Sequence, residues 1–323
     1  MSKFGLEPMP VGAEVVDLES GSEADPAVAK DLYDAWLDHG MLLFRNVDTI
    51  ERHLSLSAVF GEAELHPLPQ FRDPEEPLLM PLGDESGPAH VYDGTDLRRG
   101  RLPWHRDTAY TQAIAKGGML RLREVPEAHG ETLFADTGRA YDDLPQDVKD
   151  QVDDLEYKAS FHLQFLEVTR PGSLWKSTRL ATADEYPPNE ALAAATQELS
   201  KREFAPVVHP VVVNHPESGR TCLFLSPKDA ESILGVSEEE SDELLEFLVS
   251  HMTQEQYVYA HPWAVDDAIV WDNRRMLHAA AGYRVDHHRR GQRTTLAGPL
   301  NAGRPFDPAT DGGPVKPSPV PVA

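Results

Sequence analysis

From about residue 104 to residue 299 the chain returns repeatedly to short runs suited to β-strands, each bounded by turn residues. MLRLREV (119–125) alternates apolar and charged positions, and GETLFAD (130–136) forms a second run. HPVVVNHPESGRTCLFLS (209–226) predicts two strands joined by a turn at Pro216–Gly219. EQYVYAHPW (255–263), DAIVWDN (267–273) and RRGQRTTLAGP (289–299) complete the series. Helical signals are inserted around these strands and do not alternate with them. At 25–39, Asp25 is placed to cap, Pro26 suits the first turn, and Val28, Leu32, Ala35 and Trp36 make an apolar stripe that Gly40 ends. MLLFRNV (41–47) follows as a buried strand, and 51–60 as a helix closed by Gly61. YDDLPQDVKDQV (141–152) predicts a helix. Ser237 with Glu240 makes a capping box ahead of Leu244, Leu245, Leu248 and Val249. The pattern predicts a mainly β protein with α decoration, built on a barrel or double-sheet core.

Residues 62–103 are rich in Pro, Gly, Asp and Arg and predict long loops, and 166–196 lack clear periodicity. The expected organisation is one domain over 1–304, with lid loops at about 68–103 and 166–196. The Pro-rich tail 305–323 is expected to be extended or disordered. With 30 Lys+Arg against 54 Asp+Glu, the formal charge is −24, which argues against nucleic acid because phosphate neutralisation needs clustered bases. The single cysteine, Cys222, excludes an intrachain disulfide and a Cys-rich zinc site. No secretory leader or membrane span is visible, so the expectation is a soluble cytoplasmic protein with no membrane partner.

Three His-x-acid triplets occur: His105–Asp107, His129–Glu131 and His215–Glu217. With 14 His and 54 acids in 323 residues, about two are expected by chance, so context must decide. His215-Pro-Glu217 sits in a polar turn and is expected to be only that. Glu131 is expected to be a solvated strand-end residue. His105 and Asp107 are expected at the entry to a strand, where i and i+2 share a face and would offer an imidazole and a carboxylate to one metal ion. His278, just after an apolar strand far downstream, would complete a two-His-one-carboxylate set with open positions for iron(II). Arg289 and Arg293, four apart, would project from one strand face, and buried guanidinium groups require anionic partners.

Together with these residues, FRNVD (44–48), FGEAELHP (60–67), WHRDTAY (104–110), EVPEAHGETLFAD (124–136), HPVVVNHPESGR (209–220) and WDNRRMLH (271–278) resemble the taurine dioxygenase/2,4-dichlorophenoxyacetate dioxygenase family. Its members are iron(II)- and 2-oxoglutarate-dependent oxygenases. The resemblance runs from about residue 40 to 298 and implies a double-stranded β-helix, or jelly roll. It assigns His105, Asp107 and His278 to the metal, and Thr132 and Arg289 to the distal carboxylate of 2-oxoglutarate. His66 and Arg293 fall on positions that meet a substrate anion. Tyr92, Tyr110 and Phe71 lie in segments expected to border the mouth. The implied reaction consumes O2 and 2-oxoglutarate, releases succinate, and hydroxylates an unactivated C–H bond of a small anionic molecule. Desaturation, ring closure or C–O/C–S cleavage use the same ligands. The carboxylate at Asp107 argues against halogenation. A non-catalytic binding relative and a zinc hydrolase remain the competing readings. Relatives are often dimers or tetramers, so a homo-oligomer is open.

Overall fold

The computed structural model describes residues 3–66, 69–83, 89–161, 178–187, 204–298 and 300–311. Two sheets dominate. The larger runs in the order Gly5–Pro8, Ala13–Val16, Met41–Phe44, Ala268–Asp272, Gly117–Glu124, Arg290–Leu296, Ala63–Glu64, with Met80–Leu82 also paired to Arg290–Leu296. The smaller runs Thr178–Leu180, His90–Tyr92, Asp96–His105, Met276–Arg284, Thr132–Asp136, Val258–His261. Neighbours in both are antiparallel except Ala13–Val16 with Met41–Phe44. This is the jelly-roll arrangement.

Three apolar layers follow from side-chain alternation in the strands. Leu43, Leu120, Leu122, Phe134, Ile269, Trp271 and Met276 fill the space between the sheets. Val28, Leu32 and Trp36 of the helix Pro26–His39 pack with Leu56 and Phe60 of Ile50–Phe60 on the outer face of the larger sheet. Leu244, Leu245 and Leu248 of Glu238–Met252 cover the smaller sheet. The predicted caps are present: Asp25 accepts from Ala27 N–H, and Ser237 and Glu240 form the capping box.

Several expectations are corrected. The span 62–103 holds four strands, the longest being Asp96–His105. Arg98 and Arg99 concealed it, yet each lays its guanidinium over a ring, Tyr92 at 4.5 Å and Tyr283 at 5.3 Å, which lets arginine sit within a sheet. His105 therefore ends a strand and does not begin one. His278 lies inside Met276–Arg284, a strand buried on both faces and so without alternation. The helix expected at 141–152 is two, Thr137–Asp142 and Gln146–Val152, because Pro145 cannot continue the first. Of the tail expected to be extended or disordered, the described residues run to 311 and begin in extended, paired backbone. Arg304–Pro305 pairs with Val207–Val208, and Arg304 bridges Glu156 and Asp311. Most of 166–196 lies outside the described residues, but Thr178–Leu180 joins the smaller sheet beside His90–Tyr92.

One residue ties these layers together. Arg275 donates to the Asp38 carbonyl at the end of the first helix and forms a buried pair with Asp136, which caps Thr137–Asp142. Gly40 sits against it at φ +75°, where an added Cβ would lie 2.3 Å from the Met276 methyl and 3.0 Å from Arg275 Cδ. Gly40→Ala should cost about 1–3 kcal/mol through the left-handed backbone and crowding. The shift in the urea midpoint measures it, and an unchanged midpoint would contradict this account of the helix end.

Candidate metal centre

His105, Asp107 and His278 converge, with one ligand atom from each lying within 4.8 Å of the other two, and all three residues buried. His105 and His278 are direct partners across adjacent strands, with a register shift just beyond His278, and their rings stand 4.1 Å apart. Asp107 reaches both, Oδ1 at 3.6 Å from His105 Nε2 and Oδ2 at 3.4 Å from His278 Nε2.

The donor chemistry fits a divalent cation. His105 Nδ1 lies 2.8 Å from the Pro103 carbonyl, which can only accept, so the proton sits on Nδ1 and the Nε2 lone pair faces the cluster. Neither ring nitrogen of His278 has a hydrogen-bond partner among the described residues, although the side chain is buried against Trp271 and Phe134. A buried, unpartnered imidazole is costly unless something else binds it. Burial, with His105 alongside, pushes the His278 pKa down to about 4, keeping it neutral and ligand-competent at neutral pH. Burial alone would raise the Asp107 carboxyl, but the Arg293 guanidinium beside it outweighs this and holds Asp107 well below the usual carboxylate range. Asp107 is therefore an anion facing a ring nitrogen from each histidine.

The two arginines enter from the other sheet. Arg293, on Arg290–Leu296, donates to Asp107 Oδ2, and its Nε has no partner among the described residues. Arg289, just before that strand, reaches Thr132 Oγ1 at 3.2 Å and the Gly130 carbonyl at 3.1 Å. Thr132 Oγ1 also accepts from Trp263 Nε1 at 3.1 Å. Burial pushes the Arg289 pKa down to about 10, the mark of a desolvated cation. Trp263 was not foreseen: nothing in HPW marks an indole as a brace for a threonine.

The remaining candidates divide. His66 and Phe71 meet edge to face at 5.2 Å, in a loop whose flanking strands both pair with the Arg293 strand, Glu64 opposite Thr295 and Met80 opposite Arg293. Tyr110 packs with Phe161 and Phe204 at 4.6 and 5.2 Å, and burial, then the Asp229 and Asp107 charges, raise its pKa. Tyr92 is corrected. It belongs to the packed layer outside the smaller sheet, and its hydroxyl donates to the Ala281 carbonyl at 2.9 Å. His215 is also more than a turn residue, being buried with Nε2 2.8 Å from Asp272. Glu131 is half-buried and not fully solvated.

Comparison with known proteins identifies the fold and the family. A taurine dioxygenase structure from Burkholderia xenovorans superposes with a TM-score of 0.69 at 24% identity, covering 94% of this chain and 95% of that one, which establishes the fold. An (S)-phenoxypropionate/alpha-ketoglutarate dioxygenase from Sphingobium herbicidovorans is 29% identical over 280 residues, 86% of this chain and 88% of the relative. An alkylsulfatase from Acinetobacter baylyi is 28% identical over 300 residues, 91% of this chain and 84% of the relative. The family model described as taurine catabolism dioxygenase TauD, TfdA family, matches residues 4–295, and the chain belongs to that family.

Proposed function

We propose that His105, Asp107 and His278 hold the iron(II), that Arg289 and Thr132 hold the distal carboxylate of 2-oxoglutarate, and that Arg293 receives the anionic group of the primary substrate. The chain is an iron(II)- and 2-oxoglutarate-dependent dioxygenase, an oxidoreductase that uses O2. The observation that carries the residue roles is the buried His–Asp–His cluster with one arginine on its carboxylate and a second on Thr132. When bound, iron(II) and 2-oxoglutarate supply oxidative decarboxylation to succinate coupled to oxidation of a C–H bond.

The protein's own part is binding, orientation and exclusion of water. A planar guanidinium pairs with a carboxylate through two parallel donors, and the Thr132 hydroxyl adds a third when it rotates toward the acid. Trp263 keeps that hydroxyl oxygen in place. The unpartnered Nε of Arg293 leaves an edge of its fork for a second anion beside Asp107. Tyr110, three residues beyond Asp107, packs with Phe161 and Phe204 and would border an apolar or aromatic substrate body. A small molecule joining an anionic head to such a body fits both walls. That description covers the substrates in the relatives' names, a phenoxypropionate and alkyl sulfates. Hydroxylation next to oxygen would release the two halves of such an ether or ester. The net charge of −24 suits a soluble cytoplasmic enzyme, and among the described residues no helix is long and apolar enough to cross a membrane.

The test is anaerobic. Iron(II) and then 2-oxoglutarate, added to metal-free protein, should produce a weak visible charge-transfer band. The band should vanish in His105→Ala and His278→Ala. Arg293→Ala should keep it but lose its perturbation by candidate anions such as phenoxy acids and alkyl sulfates. No band with folded wild-type protein would overturn the ligand assignment.

A further inference from the structure

The invariable difficulty for a ligand on a loop is aim, and Asp107 lies just beyond the end of its strand. Asn273 deals with this directly. It is fully buried; its Oδ1 accepts from Asp107 N–H at 2.8 Å, and its Nδ2 donates to the Asp107 carbonyl at 3.0 Å and the Ala115 carbonyl at 2.9 Å. The peptide groups on both sides of the Asp107 Cα are therefore held by one side chain, which fixes the direction of its Cβ. Arg106, also buried, clasps the same turn. Its guanidinium donates to the Asn273 carbonyl at 2.7 Å, the Leu223 carbonyl at 2.6 Å and Thr137 Oγ1 at 2.8 Å.

The residue before Asn273 is anchored in turn. Asp272 accepts from Arg274 Nε and Nη2, both at 2.9 Å, and from His215 Nε2 at 2.8 Å. His215 Nδ1 accepts from the backbone N–H of Glu217 and Ser218, so the proton lies on Nε2, directed at Asp272. This gives the HPES turn a purpose that its polarity alone did not reveal.

We propose that Asn273 is a positioning residue for Asp107, steadied through Asp272 by His215 and on its other side by Arg106, so that the carboxylate is aimed before the metal arrives. The proposal rests on the reading of Asp107 as a ligand. It deepens that reading by assigning the metal site's preorganisation to the backbone clamp. Outer partners of metal ligands typically contribute about 10- to 100-fold in metal affinity.

The test titrates Co(II) alone into metal-free protein and follows its visible absorption, with far-UV circular dichroism and the metal-free melting curve recorded on each variant. Asn273→Ala removes the clamp. Asn273→Asp keeps the shape and the acceptor, deletes both amide donors and adds negative charge, which by charge alone would tighten cation binding. Co(II) affinity about 10- to 100-fold weaker in a folded variant is the expected result, and weakening in Asn273→Asp isolates geometry from charge. Wild-type affinity in folded Asn273→Ala would overturn the proposal. Loss of fold in both would overturn it as well, because Asn273 would then be a structural residue of the sheet. Asp107→Ala serves as control. If it binds Co(II) as wild type does, the ligand reading itself fails, and that outcome is distinct from failure of the clamp.

Discussion

Asp107→Ala should lower 2-oxoglutarate-dependent succinate formation by at least about 1,000-fold, roughly 4 kcal/mol in transition-state terms, while the protein stays folded. The carboxylate is the only anion in the cluster of three donors. Without it, two neutral imidazoles would face a divalent ion with the Arg293 cation beside them, so charge that now attracts the metal would repel it. The fold should survive because the clamp on this loop uses the Asp107 backbone, not its carboxylate. Arg293 is partly exposed and can hydrate when its partner is gone. Asp107→Asn is the sharper comparison, since it keeps the volume and loses the charge. Its turnover should fall with that of the alanine variant. Coupled succinate formation and a melting curve on the same preparation check both halves. Turnover within tenfold of wild type in folded Asp107→Ala would remove Asp107 from the ligand set.

The proposed ligand positions were legible only in context. A His-x-acid triplet occurs here about as often as chance allows, and it was the spaced blocks around WHRDTAY and WDNRRMLH that singled out His105, Asp107 and His278. Their supports were not legible, for a physical reason. Asn273 and Arg106 act through backbone amides and carbonyls, which every sequence contains, so nothing marks the residue that will meet them. Trp263 is likewise ordinary until its N–H meets Thr132. The strand Asp96–His105 was hidden by two arginines, Arg98 and Arg99, whose cost in a sheet depends on rings from other strands. Met276–Arg284 was hidden because burial on both faces erases alternation. Tyr92 misled in the opposite direction. An aromatic in a loop-like stretch suggested a pocket wall, and pairing with Arg98 and Ala281 made it core. Partners on neighbouring elements, invisible in the local pattern, decided each of these cases.

Arg289 gives the second large effect. Arg289→Leu should weaken 2-oxoglutarate binding by roughly 30- to 4,000-fold, the range that follows from about 2–5 kcal/mol for removing one partner of a buried charge pair. Its guanidinium is desolvated enough for its pKa to fall to about 10, so an incoming carboxylate meets a cation little screened by water. Arg289→Lys should recover part of the loss, because it restores the charge without the planar fork. Thr132→Val should cost only about 1 kcal/mol, near fivefold, as a single hydrogen bond is lost. Arg293→Leu should instead leave 2-oxoglutarate affinity within a few-fold of wild type and abolish the response to anionic substrates. Titrating the anaerobic charge-transfer band with 2-oxoglutarate measures all four variants on one scale. If Arg293→Leu carries the 2-oxoglutarate loss and Arg289→Leu does not, the two arginines exchange roles. The substrate anion would then sit on the Thr132 side of the site, away from Asp107.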